Sequence, residues 1–307
     1  MMNTRTEKDS IGYMNVPEDA YYGVQAQRAS ENFQITGLHM HPAFIINMAR
    51  IKKAAAITNR NALRLSPDKS DAIIRACDEI IHGKWMDQFI VDPIQGGAGT
   101  SANMNINEVI ANRAGELLGG KKGAYDKIHP NDHVNMAQST NDVIPTAGKL
   151  TVLTLMTPLI QELRRLHDAL MKKSEEFDDV IKMGRTQLQD AVPMRLGQTF
   201  HGYASMIERD ILRLTDVSRE MYTVNLSGTA IGSCINTSPA YLHNIVPCLS
   251  SITRYQKSAE ITKAALKSNH TVRELVLEEH LMTAAELEQV LDPYAMTETT
   301  EDMKQAM

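Results

Sequence analysis

Apolar residues recur at three- and four-residue steps over long stretches of the chain, a spacing typical of one face of an amphipathic helix. This spacing predicts two long helices, one over residues 141–177 and a second over residues 193–222. In the earlier helix the apolar positions are Leu150, Leu153, Met156, Leu159, Ile160, Leu163, Leu166 and Leu170. Two long, adjacent amphipathic helices predict a helical bundle, and Pro158 predicts a kink or a break in the first of them.

Shorter helices are predicted before this bundle. One begins near Pro42, and another lies between Ser66, a suitable N-cap, and Gly83, a suitable residue just beyond a helix end. The apolar residues of the second form a stripe on one helix face, at Ile73, Ile74, Cys77, Ile80 and Ile81. Residues 100–118 are expected to form a polar helix. Residues 1–40, which are interrupted by glycine and proline, are expected to be irregular.

Near the end of the sequence, the predicted helices are shorter than those of the bundle. Two capping boxes, at residues 271–274 and 283–286, predict two small helices joined by a turn. The whole pattern predicts a mainly α fold in three parts. These are an N-terminal helical domain over residues 1–136, a truncated long-helix bundle over 137–252, and a small helical C-terminal domain over 253–307.

Composition and charge narrow the range of functions. The chain of 307 residues carries 37 acidic and 32 basic side chains, for a net charge of −5, so it lacks the basic excess typical of nucleic-acid-binding proteins. The two small C-terminal helices are conceivable as a DNA-binding pair, but the segment 274–288 is acidic, which argues against it. Aromatic residues are only 5%, and 18 methionines favour helix packing over a β-sandwich.

Three widely spaced cysteines, none in a CxxC pair, predict neither a zinc site nor a disulfide framework. The polar beginning of the sequence lacks the apolar core of a signal peptide. The sequence also has no run of about 18 apolar residues. We therefore expect a cytoplasmic protein with no membrane partner.

Polar residues that suit a binding site cluster in three stretches, at residues 96–105, 129–142 and 184–190. Each contains hydroxyl or amide side chains and precedes a predicted helix. Exposed backbone N–H groups at a helix start, with hydroxyls beside them, form an anion site. If the three starts converge, they suit a small ligand with more than one carboxylate.

Simpler interpretations of the same stretches stay open. The glycine-rich segment at 96–99 is also typical of a flexible loop before an N-cap. His129 and His133 are four residues apart and could ligate a metal, but Pro130 and Asn131 interrupt the helix that would align them. We therefore expect no metal site and no cofactor.

Taken together, these stretches resemble the aspartase/fumarase superfamily of lyases. The similarity lies in residues 7–12, 21–28, 99–105, 138–142 and 184–193, and it extends over nearly the whole chain. Fumarases of this class usually have His after the Thr of the last segment, whereas many aspartases have Gln. Gln187 therefore favours the aspartate ammonia-lyases, which deaminate L-aspartate reversibly to fumarate and ammonia, and fumarate hydratase is the alternative.

The resemblance implies a set of ligand-binding residues. The hydroxyls of Thr100, Ser139 and Thr140 would surround the β-carboxylate, while Asn141 and Gln187 would lie near the leaving ammonium and Thr186 near the α-carboxylate. Secondary candidates are Ser101, Asn103, His129, Asn131 and Asp132. The resemblance also implies a homotetramer, with each site at the meeting point of three subunits.

One departure from the family pattern affects catalysis. The region Gly-Ser-Ser-x-Met-Pro-x-Lys-x-Asn-Pro is absent from the sequence, and the family resemblance jumps near residues 252–255 as if a segment were deleted. In the family that region carries the serine base and the Lys and Asn that hold the α-carboxylate. We therefore predict no catalytic base and doubtful activity, with a non-catalytic dicarboxylate-binding or assembly remnant as the further alternative.

Overall fold

The computed structural model describes residues 3–267 and residue 277, with side chains described through residue 253. Close Cα neighbours divide the chain into two compact units, residues 1–248 and 249–307. The predicted boundary at residue 252 and the boundary at residue 136 stay predictions. Both predicted capping boxes, at 271–274 and 283–286, lie outside the described residues.

Helices dominate the described residues, so the predicted mainly α fold is confirmed. Two antiparallel hairpins accompany them, one near the start of the chain and one between the two long helices that the sequence predicts for the bundle. In chain order the elements are β1 Thr4–Lys8, β2 Tyr13–Pro17, α1 Val24–Asn32, α2 Pro42–Asn61, α3 Pro67–Ile81, α4 Thr100–Leu117, α5 Thr140–Glu176, β3 Ile181–Thr186, β4 Gln189–Arg195, α6 Leu196–Ser218 and α7 Pro239–Lys267. A single π-helical turn, Pro130–Val134, precedes α5.

Residues 4–32 form two strands and a helix, so the expectation of an irregular segment over residues 1–40 was wrong for them, whereas residues 33–41 contain no helix or strand. Strands β1 and β2 pair antiparallel, and α1 follows them. Arg5 fastens this hairpin, because its guanidinium donates hydrogen bonds of 2.8–3.0 Å to the backbone carbonyls of Pro17, Glu18, Ala20 and Tyr22. A single side chain that bonds a distant loop leaves no periodic signal in the sequence.

Helices α2, α3 and α4 form the core of the N-terminal part. The predicted apolar stripe of α3 is buried, with Ile73, Cys77 and Ile80 fully inaccessible to solvent. Helix α4, expected to be polar, is instead buried along most of its length, including four asparagines and Glu108. Buried amides and carboxylates need hydrogen-bond partners, and the polar character of α4 is therefore the source of its specific contacts.

Glu108 shows how these contacts work. Its carboxylate accepts hydrogen bonds from the backbone N–H groups of Gly23, Gln25 and Ala26, at 2.9–3.0 Å, and so caps the start of α1. Burial raises the pKa of Glu108 to about 7. Gly23 leaves the required space, because a Cβ there would lie 2.8 Å from the Glu108 carboxyl group.

Helices α5 and α6 pack against each other, as the two long apolar stripes predicted. Helix α5 is continuous over 37 residues through Pro158, so the predicted break is absent. The buried residues of α5 all lie within its first twelve positions. Beyond them most of the predicted stripe is half-buried, but several apolar side chains are exposed. These exposed side chains, which we call the open stripe, are Val152, Leu155, Leu159 and Leu166 on α5 and Tyr203, Met206, Leu212 and Val217 on α6.

Helix α5 is long and apolar enough to cross a membrane, with a mean hydropathy of 1.4 over 18 residues. This is weak evidence for a span, because a long helix from the core of a bundle passes the same test. Only 22% of that window is buried in the chain. The open stripe is the feature of the fold that most needs a partner.

We expect Glu108→Ala to lower the free energy of unfolding by about 3 kcal/mol, because three buried backbone N–H groups lose their acceptor. Urea unfolding followed by circular dichroism measures the change. Glu162→Ala is the matched control, since Glu162 is exposed and pairs only with Arg165 on the same helix. Equal stability of both variants would contradict the capping role.

Candidate functional site

The first turns of α4 and α5 lie against each other, and each begins with a predicted site residue. Gly99 precedes α4 in a left-handed conformation, with φ +87°, and a Cβ on it would lie 3.0 Å from the side chain of Ile144 on α5. One turn into α4, the side-chain amide of Asn103 donates to Oγ1 of Thr140 at 3.1 Å. The structure therefore brings the middle and end of the first polar stretch to the end of the second.

Ser139 and Asp142 form a capping box at the start of α5. The N–H of Asn141 donates to Oγ of Ser139 at 3.3 Å, and the N–H of Ser139 donates to Oδ1 of Asp142 at 2.9 Å. Asp142 is fully buried, and burial raises the pKa of its carboxyl group. The cap keeps Ser139 and Thr140 in a fixed geometry at the positive end of the helix.

A loop over residues 224–238 covers this start. Asn141 donates from its side-chain amide to the carbonyl oxygen of Ala230 at 2.8 Å, and Asn225 donates to the carbonyl oxygen of Asn141 at 2.8 Å. The N–H of Thr229 donates to Oδ2 of Asp142 at 2.9 Å. The loop therefore occupies the amide of Asn141, which the resemblance places near the leaving ammonium.

Between this loop and the segment before α5 lies an open cavity of about 620 Å³. Ser139 lies on its wall together with two of the secondary candidates, Asn131 and Asp132, and with Arg64. His129 accepts a hydrogen bond at Nδ1 from the N–H of Asp132, at 3.2 Å. The second polar stretch therefore lines a cavity that is wide enough for a small molecule.

His129 and His133, the pair considered as metal ligands, contact each other, and His133 also contacts Lys69. The N–H of His129 donates to Nδ1 of His133 at 2.8 Å, and Nε2 of His133 lies 2.8 Å from Nζ of Lys69. Burial lowers the pKa of His133. Among the residues that the structure describes, no group of three His, Cys, Asp or Glu side chains is arranged to hold a metal ion.

The third polar stretch does not begin a helix, so that expectation was wrong. Thr186 and Gln187 lie at the turn between β3 and β4, where Gln187 and Leu188 both have positive φ, at +48° and +63°. Two consecutive residues in this conformation form the tight turn that suits a two-residue hairpin. The turn presents both predicted side chains to solvent.

Thr186 and Gln187 also lie far from the other predicted residues. Helix α5 separates them from Ser139, and its 37 residues extend over about 55 Å. The six residues of β3 span about 20 Å, too short to bring the turn back to the start of α5. Within one chain, Thr100, Ser139, Thr140 and Asn141 therefore form one group and Thr186 with Gln187 another.

Sequence reasoning missed the group beneath this site. Lys52 of α2 is fully buried, and its Nζ donates to Oδ1 of Asn103 at 2.9 Å and to Oδ1 of Asn135 at 2.8 Å. Burial lowers the pKa of Lys52 to about 7, against the opposing effect of the Asp142 carboxylate. A signal was present, because Lys52 follows Met48 by four residues and so lies on the inward face of α2.

Sequence comparison gives these positions a context. The chain matches the Lyase family over residues 12–287. It is 52% identical over 254 residues to an aspartate ammonia-lyase of a Bacillus species, which covers 82% of this chain and 54% of that protein. It is also 52% identical over 249 residues to the aspartate ammonia-lyase of Bacillus subtilis strain 168, which covers 81% and 52%. The chain thus spans about half the length of these relatives.

Solved structures agree with this match. The fumarate lyase:delta crystallin of Brucella melitensis superposes with a TM-score of 0.78 at 51% identity, over 81% of this chain and 55% of that one. The class II fumarase of Schistosoma mansoni superposes with a TM-score of 0.77 at 36% identity, over 84% and 55%. Because both sequence and fold match over most of its length, the chain belongs to the lyase family, as a member of the aspartase/fumarase superfamily.

Proposed function

We propose that this chain provides part of a dicarboxylate site of the aspartate ammonia-lyase type, which binds L-aspartate and fumarate. The observation that carries this is the hydrogen bond between Asn103 and Thr140, which holds together the start of α4, where Thr100 lies, and the start of α5, where Ser139 borders a cavity. The names of the relatives and the presence of Gln187 support aspartate over malate. No cofactor and no metal take part in this proposal.

The reaction explains why hydroxyls are needed. Aspartate deamination removes a proton from C3, next to the β-carboxylate, and the resulting intermediate carries two negative charges on that carboxyl group. Donors fixed in advance and aimed at the growing charge lower the barrier, as in an oxyanion hole. Thr100, Ser139 and Thr140 supply such donors at two helix starts, whose positive ends add to the effect.

Turnover by this chain is limited by what the sequence lacks. A positioned base contributes roughly 10²–10⁴ in rate, and a lost oxyanion-type donor costs roughly 10²–10³ more. Without the family region that carries the base, Lys and Asn, we propose a rate below about one part in 10⁴ of a complete relative. In that case the chain belongs to the lyase family but binds dicarboxylates with very little turnover.

The site also needs a second copy of the chain. The roughly 55 Å length of α5 separates Ser139 from the hairpin that carries Thr186 and Gln187, and β3 is too short to return over that length, so these two residues serve the site only from a neighbouring subunit. The open apolar stripe of α5 and α6 supplies a surface for such an association. We propose a homo-oligomer, with the tetramer of the family as its expected form and the cytoplasm as its location.

The chain is expected to self-associate, because Leu155 and Leu159 of α5 are each more than two-fifths exposed in the isolated chain. Sedimentation velocity measures the species present. Leu155→Lys with Leu159→Lys should shift the distribution toward monomer, whereas the exposed polar pair Gln161→Lys and Glu162→Lys on the same helix should not. A monodisperse, heat-stable monomer of the unmodified chain would rule out the oligomer.

Mixing two defective chains tests whether each site draws on two copies. Thr140→Val and Thr186→Val are each expected to abolish most fumarate binding when alone. Refolded together in equal amounts, they should regain about a quarter of the sites, because one site in four pairs two intact segments. Calorimetric stoichiometry measures this recovery, and no recovery in the mixture would contradict a shared site.

Thr140→Val is expected to weaken fumarate binding at least about tenfold, because a half-buried donor to a charged carboxylate is lost. Thr157→Val, an exposed threonine farther along α5, is the matched control. Fumarate absorbance with aspartate, and then with malate, measures turnover. Turnover of aspartate at ordinary enzyme rates would refute the proposed limit, and preferential turnover of malate would favour fumarate hydratase.

A further inference from the structure

In the buried hydrogen bonds beneath the site, Lys52 donates to Asn103, and Asn103 donates to Thr140. In its charged form Lys52 is a donor only, so the two atoms that face its Nζ are then the oxygens of Asn103 and Asn135. In an ordinary amide the oxygen and nitrogen are easily exchanged by a flip of the side chain. Here the contact with Lys52 removes that freedom, because a flipped amide would direct N–H groups at an ammonium group.

The orientation of Asn103 then decides the orientation of Thr140. With its oxygen held by Lys52, Asn103 directs its nitrogen toward Oγ1 of Thr140 at 3.1 Å. Thr140 therefore accepts this hydrogen bond, and its own hydroxyl proton stays available for another acceptor. A carboxylate at the site is such an acceptor, and it can take only a hydroxyl whose proton is not already used.

We propose that charged Lys52 is a positioning residue that orders the amide of Asn103, so that the hydroxyl of Thr140 presents its proton to the ligand carboxylate. This inference rests on the proposed binding of dicarboxylates. Lys52 touches no ligand in this arrangement, since Asn103 lies between it and Thr140. We call the chain of contacts from Lys52 through Asn103 to Thr140 the donor relay.

The surroundings of Lys52 make its charge responsive to a ligand. The groups that face it are the carboxylate of Asp142 on α5 and the thiol of Cys77 on α3. Because burial lowers the pKa of Lys52 to about 7, the amine is mostly neutral at pH 8 in the empty site. A dianion bound two hydrogen bonds away favours the ammonium form, so ligand binding at pH 8 should take up a proton.

Asn103→Asp tests the direction of the relay while it keeps the contact with Lys52. The new carboxylate accepts from Lys52 but cannot donate to Thr140, so the threonine hydroxyl donates to it and is lost to the ligand. Fumarate affinity, measured by calorimetry, should fall about tenfold to a hundredfold. Asn107→Asp is the matched control for a buried carboxylate in α4, because Asn107 makes no contact within the relay.

A double-mutant cycle separates the relay from simple charge repulsion. If Asn103→Asp consumes the proton of Thr140, then Thr140→Val should cost nothing further in that background, although it costs about tenfold in the unmodified chain. If the new charge only repels the ligand, the two losses multiply. Multiplying losses, or an unchanged affinity of Asn103→Asp, would overturn the relay.

A measurement on the unmodified chain keeps the test independent of how the variants fold. Calorimetry with fumarate at pH 8, in buffers of different ionisation enthalpy, should show uptake of a fraction of one proton, and Lys52→Met should abolish it. Binding without proton uptake overturns the relay and leaves the proposed function standing. Absence of fumarate binding by the unmodified chain overturns both.

Discussion

Burial of polar side chains in α4 is the constraint on which the rest of this structure depends. A buried amide or carboxylate without a partner costs more than its hydrogen bond would contribute, so each one fixes whatever satisfies it. Glu108 fixes the start of α1 in this way, and Asn103 fixes the start of α5. The same helix thus organises the N-terminal hairpin on one side and the predicted ligand residues on the other.

The site inherits its geometry from that helix. Gly99 allows α4 to begin in close contact with Ile144, and the capping box of Ser139 and Asp142 holds the first turn of α5. Two rigid helix starts, rather than a flexible loop, therefore carry the hydroxyls. This matters for the chemistry, because donors that stabilise a developing charge must already be in place when the charge forms.

Helices α5 and α6, unlike α4, are largely exposed to solvent in the single chain. Past its first twelve residues α5 has no fully buried residue in the described structure, and several of its apolar side chains are exposed to solvent. The hairpin turn with Thr186 and Gln187 lies beyond that stripe, away from the remaining site residues. Completion of the site and burial of the open stripe thus both require a second copy of the chain.

Periodicity in the sequence determined the elements that depend on local pattern. The stripe of α3, the two long helices and the polar character of the segments around Thr100 and Ser139 were all visible there, since each follows from neighbouring residues. The motif resemblance added the six ligand residues as a set. It could not say which of them one chain brings together.

Only the tertiary structure decided the partners of the buried polar groups. The sequence shows Lys52 and Glu108 as ordinary polar residues of helices and Asn103 only as a secondary ligand candidate, and their contacts are with atoms tens of residues away in the chain. The separation of the hairpin at Thr186 from Ser139, by the roughly 55 Å length of α5, is likewise a consequence of the path of that helix. Local propensity favours helix formation in each segment. The pairing of a buried donor with its acceptor is determined by tertiary packing, which cannot be inferred from a short stretch of sequence.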